Sequence, residues 1–248
     1  MFGSILTASA IPVPDSSRGR CRIRQQSGID WEFREAHFDP DFWREQAGFE
    51  ATVGGRGASC KIEVAGRPAV LRQYRRGGAV QRLFHDRYFW LGLSRSRPWR
   101  EWDVLQRARE LDLPVPEPLA ACVCRSGPWY RAALITAFLD GTETMTERLR
   151  RGKLDADCWY RLGLLIKRMQ AHGIRHVDLT TDNVLMDASD AFYIVDFDMA
   201  RIMKQLDDWQ WQPLYRFQRG IEKRDRLYSL HYDADDWQAF MDGYQSSD

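Results

Sequence analysis

The residues of this chain best equipped for chemistry sit in one stretch of its second half, His176-Val177-Asp178-Leu179-Thr180-Thr181-Asp182-Asn183-Val184-Leu185-Met186. After a polar turn, Ile194-Val195-Asp196-Phe197-Asp198 ends an apolar run with two more acids. Asp178 offers a carboxylate that can orient a hydroxyl and accept its proton. Asn183 and Asp196 offer hard oxygen donors, the kind that hold Mg²⁺ against phosphate groups when a turn brings them to one side. An acid for a hydroxyl, beside an amide and an acid for a metal, points to phosphoryl transfer.

The spacing H-x-D-L-x-x-x-N is that of a protein-kinase catalytic loop, and Asp196-Phe197-Asp198 occupies the place of the D-F-G turn, with Asp198 in the glycine position. Asp198 is either a further metal contact or a hydrogen-bonding residue within the turn. A non-glycine residue there disfavours flipping between two forms. His176 is expected to brace the loop.

These residues need elements to carry them. A helix started by Asp155 or Asp157, bearing Trp159, Leu162, Ile166 and Met169 and stopped by Gly173, delivers the loop. Upstream, Cys60 to Val64 and Ala69 to Tyr74 read as strands joined by the turn Ala65-Gly66-Arg67-Pro68. Before them, Gly54-Gly55-Arg56-Gly57-Ala58-Ser59 is either a plain hairpin turn or a loop whose backbone, freed at Gly55 and Gly57, approaches phosphates. Arg72 occupies the slot of the phosphate-facing cation, with Lys61 on the neighbouring strand as the alternative. A helix from Pro98, with Trp99, Trp102, Leu105 and Ala108 on one face, places Glu101 as the partner of Arg72. Prolines in Leu113-Pro114-Val115-Pro116-Glu117-Pro118 end that helix. Two more strands, Leu119 to Cys124 and Tyr130 to Phe138, lead to a lobe junction near Thr136 to Asp140, where adenine is expected to meet backbone groups.

The expected fold is therefore α+β and bilobal, of protein-kinase type. Residues 1–30 are read as a poorly ordered start, 31–137 as an N-lobe of antiparallel sheet with one main helix, and 138–248 as a mainly helical C-lobe. About fifty residues follow Asp198, with no A-P-E motif, so a peptide-binding platform is not expected. Asp39 and Pro40 read as N-cap and first residue of a short helical turn.

At 248 residues, 44% hydrophobic and 29% charged, the chain has the composition of a globular protein, and a net charge of +1 names no partner. No apolar run approaches the roughly 20 residues of a spanning helix, and the opening lacks the basic region of a signal peptide. Five cysteines without C-x-x-C or Cys/His pairing argue for reduced thiols in the cytoplasm and against zinc. Charge is unusual only locally. Between Arg72 and Arg100, eight arginines face one acid, Asp86, and are interleaved with Tyr74, Phe84, Tyr88, Phe89, Trp90 and Trp99. That composition suits an anionic membrane or a phosphate-bearing ligand, suits nucleic acid equally, or reflects aromatics that simply pack.

Several runs resemble one known family. Leu71 to Gly78, Arg97-Pro98-Trp99-Arg100-Glu101-Trp102, Leu113 to Pro118, His176-Val177-Asp178-Leu179, Asn183-Val184-Leu185 and Val195-Asp196-Phe197-Asp198 are similar to the 3-deoxy-D-manno-octulosonic acid (Kdo) kinases of Gram-negative lipopolysaccharide assembly. The resemblance runs from about Gly55 to about Lys223. It implies a kinase-like fold that uses ATP to phosphorylate the 4-hydroxyl of Kdo on a lipid A precursor. It also implies peripheral residence at the cytoplasmic face of the inner membrane and an arginine in the usual lysine slot. Where that family often has Asn-Ala-His before the metal-binding Asn, this chain has Thr180-Thr181-Asp182.

Under this reading Asp178 is the base and Asn183 and Asp196 hold Mg²⁺. Arg72, paired with Glu101, and the glycines Gly55 and Gly57 face the ATP phosphates. The Arg/aromatic segment 72–100 meets the membrane and the anionic glycolipid. The alternatives are another small-molecule kinase, of heptose or aminoglycoside type, and a non-catalytic lipid-binding protein of the same fold. Nucleic-acid binding ranks last, because a binding module needs neither Asp178, Asn183 nor Asp196.

Overall fold

The β-propensity and period-2 patterning of residues 59–73 produce a half-buried hairpin. Cys60, Ile62 and Val64 point to the core from one strand and Ala69 and Leu71 from the next, joined by a turn in which Ala65 and Gly66 take positive φ (49° and 73°). The structure, a computed structural model, describes residues 21–51, 59–74, 87–204 and 208–246. Its strands are β1 (Cys21–Gln25), β2 (Glu50–Ala51), β3 (Ser59–Val64), β4 (Arg67–Gln73), β5 (Tyr88–Phe89), β6 (Pro118–Ser126), β7 (Trp129–Ala137), β8 (Glu143–Thr144), β9 (Ile174–Arg175), β10 (Val184–Met186), β11 (Phe192–Ile194) and β12 (Arg201–Ile202). The helices are α1 (Pro40–Trp43), α2 (Arg97–Glu110), α3 (Met145–Arg151), α4 (Ala156–Ala171), α5 (Trp211–Tyr228) and α6 (Ala234–Gln245).

An antiparallel sheet runs in the order β1-β6-β7-β4-β3-β2, with β5 pairing along β7. Its two faces are covered differently. One face packs Leu134, Ala121, Val123 and Tyr74 against Trp102, Leu105 and Ala108 of α2, and this core continues into α4, α5 and α6. The other face buries Ile62, Leu71, Leu119 and Ile135 beneath Phe33, Phe38 and Trp43 from the segment before β2. The α+β class read from the sequence holds. Asp39 caps α1, accepting from the Asp41 N–H at 3.0 Å, and Asp155 caps α4, accepting from Cys158 N–H at 2.7 Å.

Two sequence expectations need correction. The poorly ordered start does not extend to residue 30, because Cys21–Gln25 forms β1 and pairs with β6 from Cys21↔Cys124 to Gln25↔Ala120. Its alternation is too short and too polar to read as a strand before the sheet it joins is known. The register that makes this strand also makes a disulfide, Cys21–Cys124, across 103 residues, with Cα atoms 4.0 Å apart. Reduced thiols therefore hold only for Cys60, Cys122 and Cys158, all buried, and the cysteine argument for a reducing compartment loses its basis.

In the second half, α4 and α6 cross so closely that a Cβ on Gly163 would collide with Phe240 O, and one on Gly243 with Tyr160 O. Only glycine fits either position. The crossing fixes α4, whose C-terminal end feeds the loop at residue 176.

Candidate active site

α4 ends at Gly173 (φ 75°), and the chain passes through β9 into the loop that carries Asp178 and Asn183. His176 is buried there. Its Nε2 lies 3.0 Å from Val195 O and its ring stands edge-on to Phe197 at 4.8 Å. Burial pushes the imidazole pKa down against the opposing pull of the Val195 carbonyl and of Asp196 and Asp178, so it stays neutral and acts as the brace read from the sequence.

The hairpin β10–β11 then brings the metal-type donors together. Val184 pairs with Ile194, and Val195 N–H donates to Asn183 O at 3.0 Å, so Asn183 and Asp196 leave the hairpin at the same end. Asn183 Nδ2 donates to Asp178 O at 2.8 Å. That commits the amide nitrogen inward and presents the carbonyl oxygen as the ligand-capable atom. Asp196 adopts φ 62°, a left-handed conformation that costs a non-glycine residue energy and tends to persist where function requires it. A carboxylate and an amide oxygen at one hairpin end fit Mg²⁺, which prefers hard oxygen donors.

Arg72, expected as the phosphate-facing cation, lies between Glu101 and Asp196. Its guanidinium pairs with both Glu101 oxygens through Nη2 and with Asp196 Oδ1 through Nη1. Tyr74 OH donates to Glu101 Oε2, and the Tyr74 ring lies 5.0 Å beneath the Arg72 guanidinium. Burial pushes the Glu101 carboxyl up to about 7, with Arg72 pulling the other way. For Asp196 burial also pushes up, but the charge and hydrogen bond of Arg72 outweigh it and hold the carboxyl below its usual range. Lys61, the alternative cation, is engaged elsewhere, with Glu50 at 3.3 Å and over the Phe138 ring at 4.6 Å. Gly55 and Gly57 lie outside the described residues.

Asp198 is held by Arg97. Arg97 Nε donates to Asp198 Oδ1 at 2.6 Å and Nη2 to Oδ2, while Nη1 donates to Tyr88 OH at 2.7 Å. This ties the first turn of α2 to the turn after Asp196, through a partner outside the turn that neither expectation for Asp198 named. The described residues of the Arg/aromatic segment divide: Arg72, Arg97, Tyr74 and Tyr88 serve the interior of the site, whereas Phe89 (55% exposed) and Leu91 (62%) face outward beside exposed Arg87 and Arg95, and residues 75–86 lie outside the described residues.

Sequence reasoning missed the residues that α5 contributes. Arg216 donates to Asp178 Oδ1 from Nε (3.0 Å) and Nη2 (2.5 Å). Arg224 grips Asp182, whose Oδ1 also accepts from Thr146 Oγ1 at 2.5 Å, and Thr146 Oγ1 lies 2.6 Å from Thr181 Oγ1. Thr181 and Asp182, the departure from Asn-Ala-His, therefore pin the loop between α3 and α5. The only sequence trace of this was a run of cations, Arg216, Arg219, Lys223 and Arg226, on the exposed side of an amphipathic helix.

A family model for the lipopolysaccharide kinase (Kdo/WaaP) family matches residues 40–244. The chain belongs to that family. A protein of Vibrio vulnificus (strain YJ016) called 3-deoxy-D-manno-octulosonic acid kinase is 32% identical over 211 residues, 85% of this chain and 89% of its own length. Proteins with the same name from Xylella fastidiosa (strain M12) and from Photobacterium profundum are 37% and 29% identical. They span 75% and 86% of this chain and 74% and 90% of their own lengths. The kinase is accordingly a phosphotransferase acting on a hydroxyl group, in a kinase-like α+β fold, and its family implies ATP as the donor.

Proposed function

We propose that this kinase transfers the γ-phosphoryl group of ATP to the 4-hydroxyl of a Kdo residue on a Kdo-lipid A precursor during lipopolysaccharide inner-core assembly. The family and the names of its relatives support the acceptor. The observation that carries the reaction is the meeting of Arg72 with both Glu101 and Asp196, next to a hairpin that joins Asp196 to Asn183 and hence to the Asp178 loop.

In this reading Asp178 orients the Kdo hydroxyl and accepts its proton as the oxygen attacks phosphorus. Arg72, fixed by Glu101, neutralises the donor phosphates. Asn183 and Asp196 hold Mg²⁺, which when bound supplies charge neutralisation at the phosphate oxygens. Catalysis rests on positioning and on charges set in place beforehand. The role of Gly55 and Gly57 as backbone contacts to phosphate rests on sequence position alone. Residues 31–137 form the nucleotide-side lobe and residues 138–248 the acceptor-side lobe.

The enzyme works as a peripheral protein at the cytoplasmic face of the inner membrane, with Phe89, Leu91, Arg87 and Arg95 meeting the lipid surface. Among the described residues no helix is long and apolar enough to cross a membrane. Mass spectrometry of lipopolysaccharide core from cells with and without the chain tests the acceptor. A phosphate lost from Kdo is expected, and an unchanged core would overturn the assignment.

A further inference from the structure

While Arg216 holds Asp178, one of the two oxygens of the proposed base is taken. Both donor contacts of Arg216 fall on Asp178 Oδ1 and compete there with a substrate hydroxyl. The pair is open to solvent, with 53% of the Arg216 side chain and 42% of the Asp178 side chain exposed, so its geometry is easily traded for another partner. The backbone beneath it is not free to follow. Neighbouring Leu214 and Phe217 are buried in the main core, and α5 is bound to the loop again at Arg224–Asp182.

The acceptor proposed above is an acidic sugar whose carboxylate and reacting hydroxyl share one ring. A guanidinium presents a planar fork matched to a carboxylate and prefers a two-oxygen contact to the single oxygen it reaches on Asp178. We infer that Arg216 is the residue that recognises the acceptor's carboxylate, leaving Asp178 for that carboxylate when the sugar binds. The exchange frees the base only when an acidic acceptor is present, so one side chain couples recognition to readiness for proton transfer. Arg219 and Lys223, exposed further along the same helix face, leave room for additional anionic groups of the glycolipid.

This inference rests on the proposed acceptor, and kinetics separate the two. Transfer from ATP is measured on Kdo-lipid A precursor and on the same acceptor with the Kdo carboxylate converted to its methyl ester, for the wild type, Arg216→Ala and Arg216→Lys. Loss of a charged hydrogen-bonding partner predicts a fall in kcat/KM of about 10–100-fold when wild type meets the ester. Arg216→Ala should show a similar fall on the acid, carried by acceptor KM with the ATP KM unchanged, and should treat acid and ester alike. Arg216→Lys, which keeps charge but loses the fork, should fall between. A wild type that uses acid and ester equally would overturn the inference and leave Kdo as acceptor. So would an Arg216→Ala enzyme that still discriminates, or one that loses kcat with acceptor KM intact, which would make Arg216 a positioning residue for Asp178. A wild type with no transfer to either acceptor would remove the proposed function, and this inference with it.

Discussion

The two ends of the proposed active site are built to different rules. On the nucleotide side, Glu101 is 3% exposed and Arg72 22% exposed, and they sit among Tyr74, Asp196 and, through the next turn, the Arg97–Asp198 pair. On the acceptor side, Arg216 and Asp178 form an ion pair about half open to water. Ion pairs in low dielectric are costly to assemble and costly to break, whereas exposed pairs contribute about 0–1 kcal/mol and open readily. The nucleotide end is thus set before substrate arrives, and the acceptor end is left to be set by the substrate. Under the proposed function the donor phosphates are the same in every turnover, which suits a fixed cradle, while a glycolipid acceptor must enter and leave.

The largest effects should come from the one carboxylate at each end that the proposed reaction uses. Asp178→Ala is expected to reduce phosphate transfer by about 10²–10⁴-fold, the usual contribution of a general base, and Asp196→Ala to abolish it. Circular dichroism of both variants should match the wild type. Near wild-type turnover in either variant would mean that the roles are wrongly assigned.

Next comes the buried pair. Removing Glu101 leaves the buried Arg72 with Asp196 alone and Tyr74 OH without its acceptor, so Glu101→Ala should cost about 3 kcal/mol in urea unfolding, while the double change Arg72→Met with Glu101→Leu should restore most of that stability without restoring activity. Equal losses in the single and double variants would show that the pair is not the buried unit described here. The pH dependence follows from the same site. With the Glu101 carboxyl raised to about 7, protonation below that pH removes its hold on Arg72, and kcat/KM should fall on the acidic side. The sign for stability is opposite. A carboxyl whose folded pKa lies above its unfolded value favours the folded state most at low pH, and that contribution is lost as pH rises through about 7. Glu101→Gln should lack both trends, and an unchanged acidic limb in that variant would assign the limb to another group.

The same division explains what could be read from the chain before its fold was known. Asp178, Asn183 and Asp196 were legible because a loop and a tight hairpin bring them together within twenty residues. Arg72 and Glu101 were legible because a strand slot and a helix face each have a recognisable period. Arg216, Arg224 and Arg97 were not, since each meets its acid through the packing of a helix against a loop or turn 38 to 101 residues away, and an exposed arginine on an amphipathic helix looks alike whether or not an acid waits opposite. Cys21–Cys124 and β1 escaped for the same reason, being consequences of sheet register. The Arg97–Asp198 pair, about one-fifth exposed on both sides, belongs with the buried end. Arg97→Ala should therefore lower kcat more than it raises acceptor KM, by releasing the turn that holds Asp196. A purely acceptor-KM effect would move Arg97 to the other end of the comparison.

The smallest effect is expected at Arg224. Its pair with Asp182 is 20% and 50% exposed, and Asp182 keeps a second bond from Thr146 when the arginine is gone. Burial pushes the Asp182 carboxyl up, but the hydrogen bonds from Arg224 and Thr146 outweigh it and hold it below its ordinary value, so the stabilisation is present at neutral pH and is lost only as pH falls through the acid range. Arg224→Ala should thus cost about 1 kcal/mol or less at pH 7, flatten the acid side of the stability profile, and change acceptor KM by a few-fold. Loss of stability as large as that of Glu101→Ala would mean that α5 is welded to the catalytic loop, and the acceptor end would then be as rigid as the nucleotide end.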